Sequence, residues 1–78
     1  MDEVSFPVYR RLSNRRSFYK ILSDLEFEEI QIMGSRRQLH QITANQYPEK
    51  LRIMDMIACI DGLFEVTDEG EWLANLPS

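Results

Sequence analysis

Charge is sorted along this chain, and the sorting limits how it can fold. Between Val8 and Ser23 lie five basic residues and no acid: Arg10, Arg11, Arg15, Arg16 and Lys20. From Ile53 to Ser78 lie six acids and no base: Asp55, Asp61, Glu65, Asp68, Glu69 and Glu71. Two patches of opposite sign must exist in any fold of this sequence. The acidic third can dock on the basic segment of its own chain, or meet that segment in a second copy. It can also stay apart as a solubilising surface, because exposed ion pairs contribute only ~0–1 kcal/mol each.

The chain has 78 residues, which reads as one small domain over 1–78, with residues 1–5 expected to fray. A domain of this size buries only roughly 60–65% of the surface its unfolded chain exposes. Its 44% apolar content fits a globular protein rather than a disordered one. No apolar run approaches the ~18 residues needed to span a bilayer, and no signal-peptide pattern begins the chain. The single cysteine, Cys59, excludes an internal disulfide and points to a reducing, cytoplasmic compartment. A net charge of −4 argues against nucleic-acid binding by the whole surface, though not by one local patch.

Val8–Leu12 and Phe18–Leu22 read as two strands joined by turn chemistry at Ser13-Asn14-Arg15-Arg16, where Asn14 tolerates φ > 0. Centring the turn on Asn14-Arg15 sets Arg11 opposite Phe18, Arg10 opposite Tyr19, Tyr9 opposite Lys20 and Val8 opposite Ile21. One face then carries Val8, Arg10, Leu12, Tyr19 and Ile21, and the other Tyr9, Arg11, Phe18 and Lys20. Residues 23–45 carry two patterns. Ser23…Glu26 and Ser35…Gln38 fit capping boxes, and Phe27, Ile30 and Met33 recur at helical spacing. Alternation around Ile30 and Ile32, followed by Gly34-Ser35, instead suits a hairpin. That hairpin sets Ile30 opposite Leu39, Phe27 opposite Ile42 and Glu29 opposite His40. The hairpin is the reading adopted, and two helices are the fallback.

Pro48 suits a helix start, and Gly62 a stop. Between them Leu51, Met54 and Ala58 form one apolar row, and Ile53, Ile57 and Ile60 another. A helix apolar on nearly all sides is expected to be buried on nearly all sides. Leu63–Val66 reads as a short strand. Thr67 is the expected cap of a last helix whose Trp72 and Leu76 share a face.

Two surfaces follow as candidates. The patch of Tyr9, Arg10, Arg11, Arg15, Arg16, Phe18 and Lys20 offers rings for stacking and cations for phosphates, the chemistry of single-stranded nucleic acid. Arg36 and Arg37 extend it if the second turn lies nearby. The bland alternative covers both rings with a helix. The helix residues Ile53, Met54, Met56, Ile57 and Ile60 offer an interface, with adaptable methionines, to a second copy or another protein. Arg10-Arg11-Leu12-Ser13 has the spacing read by basophilic kinases. His40 and Cys59 form no expected dyad, and the adjacent carboxylates Glu28-Glu29 and Asp68-Glu69 diverge on either element. No catalytic, cofactor or metal site is expected.

The stretch Gly62-Leu63-Phe64-Glu65-Val66-Thr67-Asp68-Glu69-Gly70-Glu71-Trp72-Leu73 resembles the segment after the recognition helix of winged-helix regulators. The resemblance implies a recognition helix over Pro48–Asp61, yet only Lys50 and Arg52 are basic there and a wing hairpin is missing. The reading as a whole is a small α+β domain. An antiparallel sheet of about four strands packs on the 48–61 helix, a short C-terminal helix closes the sheet edge through Trp72, and a mostly helical fold is the fallback. The expected function is a non-enzymatic protein–protein interaction module, a homodimeric adaptor or regulatory accessory protein with no membrane partner. Nucleic-acid binding through residues 9–20 is the alternative.

Overall fold

The computed structural model describes residues 4–77. The elements run β1 (Val8–Leu12), β2 (Ser17–Ile21), β3 (Glu26–Met33), β4 (Arg36–Thr43), α1 (Tyr47–Ala58), a 3-10 turn (Ile60–Gly62), β5 (Phe64–Val66) and α2 (Glu69–Ala74). The strands form one antiparallel sheet in the order β4-β3-β2-β1-β5. This is the expected α+β architecture, with a fifth strand because Phe64–Val66 pairs with β1. Of the segment expected to fray, residues 1–3 lie outside the described residues, while Val4 and Ser5 are exposed.

Both hairpins adopt the register that alternation requires. Val8 pairs with Ile21, Tyr9 with Lys20, Arg10 with Tyr19 and Arg11 with Phe18. Ile30 pairs with Leu39, Glu29 with His40 and Phe27 with Ile42. A one-residue slip in either hairpin would turn its buried residues to the opposite face, so burial fixes both registers.

The turns explain why the helical alternative for residues 23–45 fails. The Ser23 hydroxyl accepts from the Leu25 N–H at 3.1 Å, and the Leu22 and Ser23 N–H groups donate to the Glu26 carbonyl. The would-be capping serine thus folds a tight turn that returns the chain as β3. Gly34, at φ 62, serves the two-residue connection from β3 to β4. In the first turn the left-handed residue is Arg15, at φ 64, and not Asn14. Asn14 instead accepts from the Arg16 N–H through Oδ1 at 2.9 Å, which fixes the backbone one residue later.

A helix covers each face of the sheet. On one face Ile53 and Met56 of α1 pack with Tyr19, Ile21, Phe27 and Ala44, bordered by Val8, Leu12, Ile42, Ile57 and Phe64. On the other, Trp72 of α2 packs with Phe18 and Ile30, bordered by Tyr9, Ile32 and Leu76. Trp72 therefore lies across a sheet face rather than closing an edge. Asp68, not Thr67, caps α2, its Oδ1 accepting from the Glu71 N–H at 2.9 Å.

Helix α1 departs from expectation in two ways. It ends at Ala58, because Cys59 adopts a left-handed conformation at φ 52 and the chain tightens into the 3-10 turn. It is also buried on one side only. Ile53 and Met56 are buried, whereas Met54 is 64% exposed and Tyr47, Leu51 and Ile60 are open too. A single sheet can cover only one face of a helix laid upon it, so the row of Leu51, Met54 and Ala58 meets solvent. The winged-helix resemblance does not reach the fold either. A four-stranded meander precedes α1, and the helix lies flat on that sheet instead of following a helical turn.

Arg15 in a left-handed conformation carries a steric cost of about 1 kcal/mol that glycine escapes. Arg15→Gly is expected to stabilise the fold by up to about that amount, read as a higher denaturation midpoint at unchanged slope. A lower midpoint would show that the Arg15 side chain supports the turn.

Candidate functional site

The basic segment splits into structural and free members. Consecutive strand residues point to opposite faces, so Arg10 and Arg11 serve the two helices separately. Arg10 donates from Nε to the Met56 carbonyl and from Nη2 to the Ile57 carbonyl, each at 3.0 Å. These carbonyls belong to the last turn of α1, which holds no basic residue of its own. A strand arginine thus meets the negative end of the helix. Arg11 donates to Glu65 at 2.9 Å and to both carboxylate oxygens of Glu71 at 2.8 Å. The acidic third therefore docks on the basic segment of its own chain, one of the arrangements that the charge pattern allows. Both guanidinium groups are engaged, so Arg10-Arg11 is not presented as an exposed recognition sequence ahead of Ser13.

The rings of the candidate patch are covered. Phe18 is 4% exposed beneath Trp72, and the Tyr9 ring lies 6.4 Å from the Trp72 ring with its hydroxyl toward Glu69 at 3.4 Å. Burial and the neighbouring Glu69 raise the Tyr9 pKa. Neither ring forms the open stacking platform expected of it. Lys20 is half-buried opposite Glu28. What remains free is a rim. The meander puts the β1–β2 and β3–β4 turns at one end of the sheet, where the Ile32 N–H donates to the Arg16 carbonyl and Ile32 pairs with Arg37. Arg15, Arg16, Arg36 and Arg37 gather there, all exposed, and none makes an ion pair among the described residues. Beside them an open cavity of about 480 Å³ is lined by Ser35, Arg36, Arg37, Ala74, Leu76 and Pro77.

The candidate interface helix is mostly core. Ile53 and Met56 are buried and Ile57 packs on them, leaving Met54, and Ile60 in the 3-10 turn, exposed. The sheet offers a different surface. β4 is an edge strand of eight residues, exposed throughout except at Ile42. The Ala44 N–H donates to the Leu25 carbonyl, so even-numbered residues of β4 bond to β3. By alternation Arg37, Leu39, Gln41 and Thr43 turn their N–H and C=O groups outward, the Thr43 carbonyl already accepting from the Asn45 N–H at 3.0 Å. Behind the far end of this edge stand Glu26, opposite Thr43, and Glu28, whose carboxylate accepts from the Gln41 amide at 3.0 Å. Sequence reasoning missed this edge. Its signal was present in the spacing of Glu26 and Glu28 from Arg36 and Arg37, and became readable only once residues 26–43 were taken as a hairpin.

A second group missed from sequence lies under α1. Glu29 is buried, 3.6 Å from the Arg52 guanidinium, which donates to the Tyr19 hydroxyl at 3.1 Å. That guanidinium also sits 5.5 Å from the centres of the Tyr19 and Phe27 rings. Burial and Glu29 raise the Tyr19 pKa, while Arg52 opposes them. The arrangement satisfies a buried carboxylate and holds α1 to β2 and β3. Among the described residues no group of three His, Cys, Asp or Glu side chains is placed to hold a metal ion. Among the described residues no helix is long and apolar enough to cross a membrane. No protein-family model, curated protein or solved structure matches the chain.

Glu71 sits where the acidic third meets the basic strand. The Thr67 hydroxyl, and then Arg11, hold its carboxyl below the ordinary glutamate value of 4.5. The folded protein binds this proton less readily than the unfolded chain. The resulting stability is present above pH 4.5 and is lost as the pH falls through the lower folded value. Glu71→Gln should therefore lower stability at neutral pH and flatten the acid limb, with the two proteins converging in acid. Parallel pH–stability curves would remove Glu71 from this role.

Proposed function

We propose that this protein is a non-enzymatic protein–protein interaction module that docks an extended partner strand on the free edge of β4. The observation that carries the reading is that edge: eight residues of paired strand whose outward backbone groups at Arg37, Leu39 and Gln41 have no backbone partner among the described residues. Unpaired N–H and C=O groups in a row are a template for another strand, and natural sheets shield such edges with helices, bulges, prolines or charges. In β4 the only fixed charges are Arg36 and Arg37, at one end, and the strand contains no proline. Exposed Leu39, at its middle, supplies an apolar contact beside the backbone bonds. The opposite edge, β5, has three residues and offers far less. The role that suits such a surface is that of an adaptor or regulatory accessory protein.

A second reading, polyanion binding, is supported by the rim of Arg15, Arg16, Arg36 and Arg37. Arginine forks match phosphate oxygens, and no base stacking is needed for contacts of that kind. Four such contacts on a single strand predict a slope of about −3 in log affinity against log salt. Weak binding of an oligonucleotide at low salt, lowered further by Arg15→Ala with Arg16→Ala, would favour this reading. Absence of binding at low salt would end it.

The edge itself is tested by amide hydrogen exchange in dilute solution. Arg37, Leu39, Gln41 and Thr43 are expected to exchange quickly, while Gln38, His40 and Ile42 are protected by β3. Slow exchange of the first four at every concentration would mean that the edge is covered within the chain, and the proposal would fail.

A further inference from the structure

We infer that the strand docking on β4 is the β4 of a second copy, running antiparallel about a two-fold axis to give one continuous sheet. This rests on the open-edge reading above. The argument is charge complementarity along the edge. At its start stand Arg36 and Arg37. At its other end, one strand behind, stand Glu26 and Glu28, on the same face as Arg37, with Asp24 in the adjoining turn. Lys20 lies on the far side of Glu28, opposite it on β2.

An antiparallel partner brings the arginine end of each copy to the glutamate end of the other. A two-fold axis through the sheet pairs residues of equal parity, so the fullest overlaps centre on Leu39 or His40. In these overlaps Arg37 lies opposite Gln41 or Thr43 of the second copy. Glu28 or Glu26 of that copy is then about 10 Å away across the sheet, within the joint reach of the two side chains. A parallel partner would instead set arginines against arginines. The outward groups at Arg37, Leu39 and Gln41 pair in either overlap, and the Thr43 N–H is covered by Arg37 of the second copy when the axis lies at His40. Among the described residues α1 and α2 lie over the faces of the sheet, with Ile42 of β4 bordering the α1 core and Ala74, Leu76 and Pro77 beside Arg36 and Arg37, and no strand pairs with the outer side of β4. A two-fold contact of this kind also closes, leaving only the short β5 edges free.

The charge pattern makes a specific exchange experiment available. Sedimentation of the whole chain from about 1 μM to about 1 mM is expected to show a monomer–dimer equilibrium. Protection of the Arg37, Leu39 and Gln41 amides should rise with it, and that of Thr43 too when the axis lies at His40. R36E/R37E and E26R/E28R should each weaken self-association at least tenfold, because each presents one sign at both ends. An equimolar mixture of the two should recover association as a heterodimer, a result that misfolded variants cannot give. Gln41→Pro, which removes one outward N–H, should also leave a monomer. A wild-type protein that stays monomeric to 1 mM with those four amides exchanging quickly would overturn the second copy as occupant, while leaving the edge open to another protein. A wild-type dimer unaffected by either charge reversal would likewise overturn the inference, since the contact would lie elsewhere.

Discussion

Two neighbouring arginines hold the two faces of this molecule together. Arg10 and Arg11 occupy successive positions in β1, so their side chains leave the sheet in opposite directions. Arg10 reaches the last carbonyls of α1, and Arg11 reaches Glu65 on β5 and Glu71 on α2. The segment from residue 47 onward is thereby tied to one five-residue strand. Helix α2, six residues long, could not persist alone, since isolated helices below ~12–15 residues are marginal in water. It persists because Trp72 fills the space over Phe18 and Ile30 while Glu71 is held by Arg11. Removal of Arg10 would take away the side-chain donor shared by the Met56 and Ile57 carbonyls, and removal of Arg11 would leave Glu71 to the Thr67 hydroxyl and Glu65 to water.

The same arrangement decides which charges are free to act. Arg10 and Arg11 are consumed by the fold, as is Arg52, which neutralises buried Glu29 and lies against the Tyr19 and Phe27 rings. In the meander the charges left over are arginines at the turns of one end and Asp24, Glu26 and Glu28 toward the other, where Lys20 stands opposite Glu28. The sheet is therefore dipolar along its strands even though the whole chain is acidic. A dipolar edge with unpaired backbone groups favours an antiparallel neighbour, which is why orientation and docking are one question here.

Much of the fold was legible because alternation and burial point the same way. Both hairpin registers, the membership of each sheet face and the start of α1 near Pro48 follow from side-chain period and turn chemistry. Residues 23–45 were ambiguous because Ser23 and Ser35 suit helix caps as well as turns. The ambiguity was settled by strand pairing, a long-range effect that local propensity does not contain. Burial was misjudged where composition stood in for geometry. The apolar rows of α1 look alike in sequence, but only Ile53 and Ile57 of one row face the sheet, together with Met56, which belongs to neither. Phe18 and Tyr9 looked available for stacking because a hairpin alone leaves both faces open, and α2, far along the chain at Glu69–Ala74, covers one of them.

The sequence by itself determined the sorting of charge, the hairpins and the periodicity that assigns each strand residue to a face. These are local properties, governed by the two-residue period of a strand and by turn residues. The tertiary structure alone decided what the charges do. It set Arg10 against a helix terminus and Arg11 against two glutamates, because those partners lie more than 40 residues away. It also left β4 at the edge, since sheet order depends on where β5 pairs, and β5 chose β1. The basic segment that dominates the sequence thus became mainly a clamp, and the surface left open to a partner lies on a strand with no distinguishing composition.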